Sequence, residues 1–206
     1  MTIKPRHVLA ALAGAALWSG GVRAQQSDNT GLMVGVHVTG SSLGGTGAEA
    51  ITETGRGMGF KLGYGFNDRM TLYAAADAVV MEYDADRAPE PDAEYDGATY
   101  DFGLRVNFSN DWRVMRPYLL AAITGVVTTQ QTGSAEAPTE TQTRGEGLTI
   151  GGGVQFFAWR KLAVDVGYQA TAGSFTERTV GGEEQAFARG ISLMHHRGQV
   201  GVTWHP

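Results

Sequence analysis

The chain has 206 residues, 16 basic and 21 acidic side chains, and no cysteine. Without cysteine it cannot be a small disulfide scaffold, and it has no CxxC-type metal or redox site. The acidic excess argues against a nucleic-acid partner. The length that remains after loss of an export signal suits one domain.

The first 24 residues have the layout of an export signal. A short basic region precedes an apolar run from Val8 to Trp18, and a small-x-small sequence ends at Ala24. This run is too short for the roughly 20 residues that span a bilayer, so we favour a cleaved signal over a single-pass anchor. The mature chain would then be Gln25–Pro206, with 13 basic and 21 acidic residues and a net charge of −8.

The mature sequence alternates apolar and polar residues in eight segments, which predicts eight strands with one apolar face each. No later apolar run is long enough for a helical span, so a chain that enters a membrane must do so as a β-barrel. In chain order the segments are 32–38, 58–66, 70–81, 100–108, 118–127, 148–156, 162–168 and 197–204.

Short and long connections alternate between these segments. Tight turns are predicted at 67–69, 109–112 and 158–160. Long loops are predicted at roughly 41–55, 83–98, 129–147 and 171–188. One plain rim and one elaborated rim are typical of an up-and-down antiparallel barrel, so we expect four exposed loops.

The polar face of the predicted strands carries glycines and isolated opposite charges. A water-facing surface would carry many Lys and Glu, yet only Lys61 and Lys161 follow the signal. Glycines with mutually paired charges suit a narrow lumen, so the apolar face is predicted to contact lipid. Loss of one partner, such as Arg105, is expected to destabilise the barrel. The predicted lumen charge network consists of Lys61, Asp77, Asp101, Arg105, Asp165 and Arg197.

Aromatic residues gather at the plain rim, as expected for a girdle at the lipid headgroups. The last strand, 194–204, is predicted to pair with the first, 31–39, because a closed barrel has no free edge. Closure would depend on Val200, Val202 and Trp204. The predicted girdle consists of Phe66, Phe108, Tyr118, Phe156 and Trp204.

The chain ends Gly201-Val-Thr-Trp204-His-Pro206, which resembles the closing Gly-Val-x-aromatic-x-Phe of the small OmpA/OmpX-type outer-membrane barrels of Gram-negative bacteria. The segments RPYLLAAITG from Arg116 and YGFNDRMTLY from Tyr64 are similar to a strand start and a short hairpin of that family. The resemblance implies an all-β, eight-stranded antiparallel transmembrane barrel in the outer membrane. It also implies that the barrel-assembly machinery reads a terminal aromatic residue, and Pro206 leaves that role to Trp204.

A paired charge network that fills the lumen favours a non-enzymatic structural or surface-interaction protein. Outer-membrane lipid, lipopolysaccharide and an unknown loop ligand would be its partners. A narrow channel for ions or small solutes is one alternative. The six carboxylates between Asp84 and Asp96 could collect divalent cations, but they lack the EF-hand spacing, so we favour a solvated loop and predict no metal or cofactor.

A lipid-A-modifying enzyme is the second alternative, with its candidates near the end of the chain. Ser192 and His195 are three apart in a strand and face opposite sides. Ser192 shares a face with His196, but that face points to lipid. His37 could approach His195 across the closure, which suggests a weak metal or proton site at most.

Overall fold

The computed structural model describes residues 30–44, 52–82, 94–108, 115–134 and 137–206. The predicted signal 1–24, the turn 109–112 and most of the acidic segment Asp84–Asp96 lie outside these residues. No helix in the described part of the chain is long and apolar enough to cross a bilayer.

Eight strands form one closed barrel in which each strand is antiparallel to both neighbours. The last strand pairs with the first, so the predicted fold class and the predicted closure are both confirmed. Across the closure, Val200, Val202 and Trp204 pair with Val38, Val36 and Val34. The strands are β1 Gly31–Gly44, β2 Thr52–Gly65, β3 Met70–Glu82, β4 Glu94–Asn107, β5 Met115–Ser134, β6 Ala137–Trp159, β7 Leu162–Val180 and β8 Glu183–Trp204.

The register around the barrel gives its stagger. A path from partner to partner starts at Val34 on β1 and returns to β1 at Gly44, ten residues farther on (44 − 34). With eight strands, this stagger corresponds to a tilt of about 40° and a radius of about 8 Å. A lumen this narrow is filled by its own side chains. The path runs through Val34, Leu62, Ala74, Phe102, Ile123, Leu148, Ala172, Met194 and Gly44.

The apolar face of the strands points outward, as predicted. On β1, Val36 and Val38 are each 62% exposed, whereas His37 between them is buried in the lumen. The same alternation on the other strands gives an apolar outer surface and a polar interior, which is the arrangement of a membrane barrel.

The rim that carries the short turns and the C-terminal end of β8 is called the turn rim below. The side-chain oxygen of Asn67 accepts hydrogen bonds of 2.9 Å from the backbone N–H groups of Arg69 and Met70, as turn asparagines commonly do. After β8, the N–H of His205 donates to the carbonyl of Lys161 at 2.7 Å. This bond ties the chain end to the turn between β6 and β7.

Four of the five predicted girdle residues lie outward at the turn rim: Phe66, Phe108, Phe156 and Trp204. The prediction for Tyr118 is wrong, because this residue is only 3% exposed and faces the lumen. The outward positions of β5 are the odd ones, such as Leu119 and Ile123. A buried tyrosine needs a partner for its hydroxyl group, and Tyr118 finds one in Asp165.

The opposite rim, called the hairpin rim, differs from the prediction. Strands β5 and β6 remain paired as far as Ser134 and Ala137, and β7 and β8 as far as Val180 and Glu183. The predicted loops 129–147 and 171–188 are therefore mostly strand. The threonines of these segments favour strands. The loop prediction rests on the polarity of the segments, and it fails because polarity reports exposure to water and does not determine backbone conformation. The first two predicted loops are also shorter, since β1 ends at 44, β2 begins at 52 and β4 begins at 94.

Strands β5–β8 extend beyond β1–β4 as a four-stranded projecting sheet, defined as residues 130–134, 137–144, 175–180 and 183–191. Pairing of β4 with β5 ends at Thr129, and pairing of β1 with β8 ends at Met194. Gly181 and Gly182 form the turn between β7 and β8 with φ of 58° and 92°, which only glycine adopts readily.

Candidate functional site: the barrel lumen

All six charged residues of the predicted network point into the lumen and are buried. The structure divides them into two groups at different heights. The first, called the charge layer, lies halfway up the barrel around Arg197, Asp77 and Asp101. The second lies nearer the turn rim around Asp165, Arg105 and Lys61.

Arg197 is the centre of the charge layer. Its Nη1 lies 2.8 Å from Asp77 Oδ2 and 2.8 Å from Asp101 Oδ2, and its Nη2 donates to Asp101 Oδ1 at 2.9 Å. The pairing with Asp101 is bidentate, the strongest geometry available to a guanidinium and a carboxylate. One side chain of β8 thus connects β3 and β4 across the lumen.

His37 joins the same layer, although the predicted network did not include it. Its Nε2 donates to the second oxygen of Asp77. Gly59 on β2 makes room for this contact, because a Cβ there would lie 2.6 Å from His37 Nε2.

A chain of threonine hydroxyl groups completes the charge layer. Thr124 donates to Asp101 Oδ1 at 2.6 Å, and Thr149 lies 2.5 Å from Thr124 and 2.6 Å from Thr171. These residues belong to β5, β6 and β7. Together with β1, β3, β4 and β8, seven of the eight strands contribute hydrogen-bonding side chains to one layer.

Asp165 holds the second group together. It accepts hydrogen bonds from the Tyr118 hydroxyl at 2.6 Å and from Gln155 Nε2 at 3.1 Å. Arg105 Nη1 is 3.6 Å away, and its guanidinium lies 5.1 Å from the centre of the Tyr118 ring. None of the Arg105 nitrogens forms a hydrogen bond with the described residues. Arg105 is thus held by charge and by the aromatic face.

Lys61 departs from the predicted mutual pairing. Its ammonium group forms no ion pair within the described ranges and lies 5.8 Å from the centre of the Tyr73 ring. Lys61 and Asp165 line a cavity of about 10 Å³, room for one water molecule. A buried cation with this environment carries a desolvation cost that no direct partner offsets.

Replacing Lys61 with methionine is therefore expected to raise the free energy of unfolding by about 1 kcal/mol, since an apolar chain of similar length removes the buried charge. The measurement is urea unfolding of the barrel refolded into lipid vesicles. Lys161→Met, at the exposed turn lysine, is the control and should change nothing measurable. A less stable Lys61→Met barrel would contradict the assignment of Lys61 as unpaired.

Two apolar clusters lie along the lumen beside the charged groups. The inner cluster, near the turn rim, contains Met33, Tyr73, Ala75, Tyr118, Leu120 and Ala122. The outer cap lies between the charge layer and the hairpin rim, with Phe175 packed against it. It consists of Leu43, Val79, Met81, Tyr95, Val126 and Leu193. These apolar side chains come from five strands and pack together inside the lumen above the charge layer.

His37 and His195, whose approach across the closure the sequence allows, do not contact each other. His37 contacts Asp77, whereas His195 lies opposite Leu43, six residues farther along β1, and is 2.5 Å from Ser41 Oγ. The sequence does not single out Ser41, because this residue falls in the predicted loop 41–55. The signal was present in the alternation, which continues from His37 through Ser41.

Among the described residues, the Ser41–His195 pair has no third group that would complete a nucleophilic site. The second ring nitrogen of His195, Nδ1, has no hydrogen-bond partner among the described residues, so no carboxylate orients the ring. Both residues are buried. Within the described ranges, no three His, Asp or Glu side chains are arranged to hold a metal ion.

Comparison with known proteins agrees with this geometry. A family model for the outer membrane protein beta-barrel domain matches residues 8–204. The comparison with curated proteins finds no match.

Three solved barrels illustrate the likeness of fold. Neisserial surface protein A is 18% identical, with a TM-score of 0.54 over 84% of this chain and 97% of that one. Ail, the attachment invasion locus protein of Yersinia pestis, is 12% identical, with a TM-score of 0.53 over 87% and 99%. OprG from Pseudomonas aeruginosa is 10% identical, with a TM-score of 0.58 over 88% and 99%.

At these identities the solved structures show the fold alone, whereas the family model covers nearly the whole chain. The small outer-membrane barrel predicted from the closing motif is confirmed. Its location is the outer membrane of a Gram-negative bacterium. The chain belongs to the outer membrane protein beta-barrel domain family.

Proposed function

We propose that this protein is a non-enzymatic outer-membrane barrel that presents a binding surface at the cell exterior. It would be exported by the signal 1–24, cleaved before Gln25, and inserted with the hairpin rim outside. The barrel would act as a rigid support, and the projecting sheet with the neighbouring loops would make the contacts.

The packed lumen is the observation that carries the supporting role. Hydrogen-bonding side chains from seven strands meet in the charge layer, and the apolar side chains of the outer cap pack inside the lumen above it. The cavity beside Lys61 and Asp165 has room for one water molecule. A network of this kind rigidifies a barrel.

The charge of the outer segments supports a cationic partner. The four segments 41–55, 83–98, 129–147 and 171–188, with Glu82 at one edge, hold 15 of the 21 acidic residues and only 3 of the 16 basic ones. Such a surface would attract basic partners or divalent cations at the lipopolysaccharide surface. Ail has been solved with a heparin analogue, a polyanion, and the charge of the present chain favours the opposite preference.

Adhesion of cells that display the protein tests this surface. Cells should bind a polylysine coating better than a heparin coating. The triple variant Glu177→Gln/Glu183→Gln/Glu184→Gln should bind polylysine several-fold less, whereas Arg178→Gln should bind at least as well as the unaltered protein. If the triple variant bound polylysine as well as the unaltered protein, the proposed role of the acidic surface would be wrong. Folding of each variant is checked by its heat-dependent gel mobility.

Planar-bilayer recording and lipid A analysis test the two alternatives. The purified barrel is expected to show no discrete conductance steps, and lipid A from expressing cells should keep its mass. Steps altered by Asp101→Asn would establish a channel instead. A change in lipid A mass that His195→Ala abolishes would establish an enzyme.

A further inference from the structure

One row of outward residues interrupts the apolar outer surface. Arg56 on β2 pairs with Gly40 on β1, Gly40 pairs with Gly198 on β8, and Gly198 pairs with Tyr168 on β7. The row therefore places two neighbouring glycines between an arginine and a tyrosine. The flanking residues stand about 14 Å apart, three strand spacings.

The two glycines form the floor of a shallow depression. A Cβ built at Gly40 or at Gly198 would meet no atom within 4 Å, so the space above both is open. Toward the turn rim, the outward neighbours on the same two strands, Val38 and Val200, are full-sized and exposed. The depression is two strands wide, enough for acyl chains to lie against bare backbone.

Polar side chains flank this depression on both sides. On one side the Tyr168 hydroxyl lies 2.7 Å from His196 Nδ1, and the two rings stack with centroids 6.0 Å apart. On the other side the Arg56 side chain is exposed. Arg56 and His196 lie toward the hairpin rim, where the apolar surface ends.

The position of these groups is unusual for the outer surface. On β3, β5 and β6 the outward face stays apolar until Glu82, Thr129 and Glu146, which lie closer to the hairpin rim. Arg56 and His196 lie deeper in the apolar surface than these residues. The boundary at which the apolar outer surface gives way to polar residues is thus nearest to the turn rim beside the glycine depression.

We propose that this depression binds a phosphorylated, multiply acylated glycolipid of the outer leaflet. Acyl chains would lie on Gly40 and Gly198, Arg56 would contact a phosphate group, and Tyr168 with His196 would contact a sugar or a second phosphate. The proposal rests on the orientation proposed above, with the hairpin rim outside, but not on the acidic binding surface.

Charge argues for this lipid over a second copy of the chain. In an interface between two barrels, Arg56 would be buried against an apolar surface whose row offers no carboxylate, at a large desolvation cost. A phosphate group at the headgroup level pairs with the same guanidinium while both remain partly hydrated.

Native mass spectrometry of the purified barrel with diphosphoryl lipid A measures how much lipid A the protein retains. The unaltered protein should retain one lipid A, and Gly40→Val/Gly198→Val and Arg56→Gln should each weaken retention about tenfold. Gly125→Val is the matched control, because Gly125 also faces outward with no atom near its Cβ position. It should retain lipid A like the unaltered protein.

The competing outcomes are distinguishable. If Gly40→Val/Gly198→Val retained lipid A as well as the unaltered protein, the proposed site would be wrong. It would also be wrong if phosphatidylglycerol displaced lipid A as well as lipid A itself does. A dimer that Gly198→Val dissociates would mean that a second barrel covers the row. Preferential retention of inner-leaflet phospholipid would overturn the orientation, whereas the adhesion test on cells bears on the acidic surface alone.

Discussion

Replacing Arg197 with methionine is expected to lower the free energy of unfolding by about 3–5 kcal/mol. The change leaves Asp77 and Asp101, both buried, without the guanidinium that contacts each of them at 2.8 Å. Methionine keeps most of the length and packing, so the loss reports the charge. Urea unfolding of the barrel in lipid vesicles, followed by tryptophan fluorescence, measures it.

Two further variants separate this effect from a general loss of packing. Arg105→Met should cost only about 1 kcal/mol, because Tyr118 and Gln155 still donate to Asp165. The double variant Arg197→Met/Asp101→Asn should recover part of the loss, since it removes one of the uncompensated charges. An unfolding midpoint unchanged in Arg197→Met would contradict the charge layer as a stabilising unit.

Replacing Gly59 with valine is expected to destabilise the barrel by about 3 kcal/mol, the upper end of the usual cost of overpacking. The new Cβ would overlap a carboxylate oxygen of Asp77 and lie 2.6 Å from both His37 Nε2 and the carbonyl oxygen of Ala76. The backbone oxygen belongs to the neighbouring strand and cannot move aside alone. The fraction of protein with the folded gel mobility before heating measures the loss.

Gly125→Val controls for valine replacing a strand glycine, since it faces lipid with open space around it. It should fold as well as the unaltered chain, or better, because valine favours strands. If Gly59→Val folded equally well, the lumen would be wider at this level than the contacts of His37 and Asp77 require. The charge layer would then not depend on the absence of a β2 side chain.

The different effects expected for these two arginines could not be predicted from the sequence. Arg105 and Arg197 both lie on the inward face of an alternating strand, and the alternation assigns them equal roles. In the structure Arg197 bridges two carboxylates, whereas Arg105 lies 3.6 Å from one. The difference comes from the stagger of the strands. It brings Arg197 to the height of Asp101, which is 96 positions earlier in the chain, and of Asp77, which is 120 positions earlier.

Two other predictions are wrong for the same reason, because each depends on neighbouring residues in the sequence alone. The predicted outward position of Tyr118 rests on its place at the start of an apolar segment near a turn, yet its hydroxyl group donates to Asp165 inside the lumen. The prediction of a loop at 129–147 rests on the polarity of this threonine-rich segment. Pairing with a neighbouring strand satisfies its backbone groups, and that pairing depends on residues from elsewhere in the chain.

The sequence alone determined the eight strands, the outward direction of the apolar face, the six charges inside and the closure of the last strand on the first. These follow from a period of two along each strand, which is a local property. Only the tertiary structure decided which charges meet, that Lys61 has no ion pair among the described residues, and that Arg56, two glycines and Tyr168 form one row. Those contacts depend on the register of every strand pair, because each pairing adds to the stagger that sets the height of a residue around the barrel.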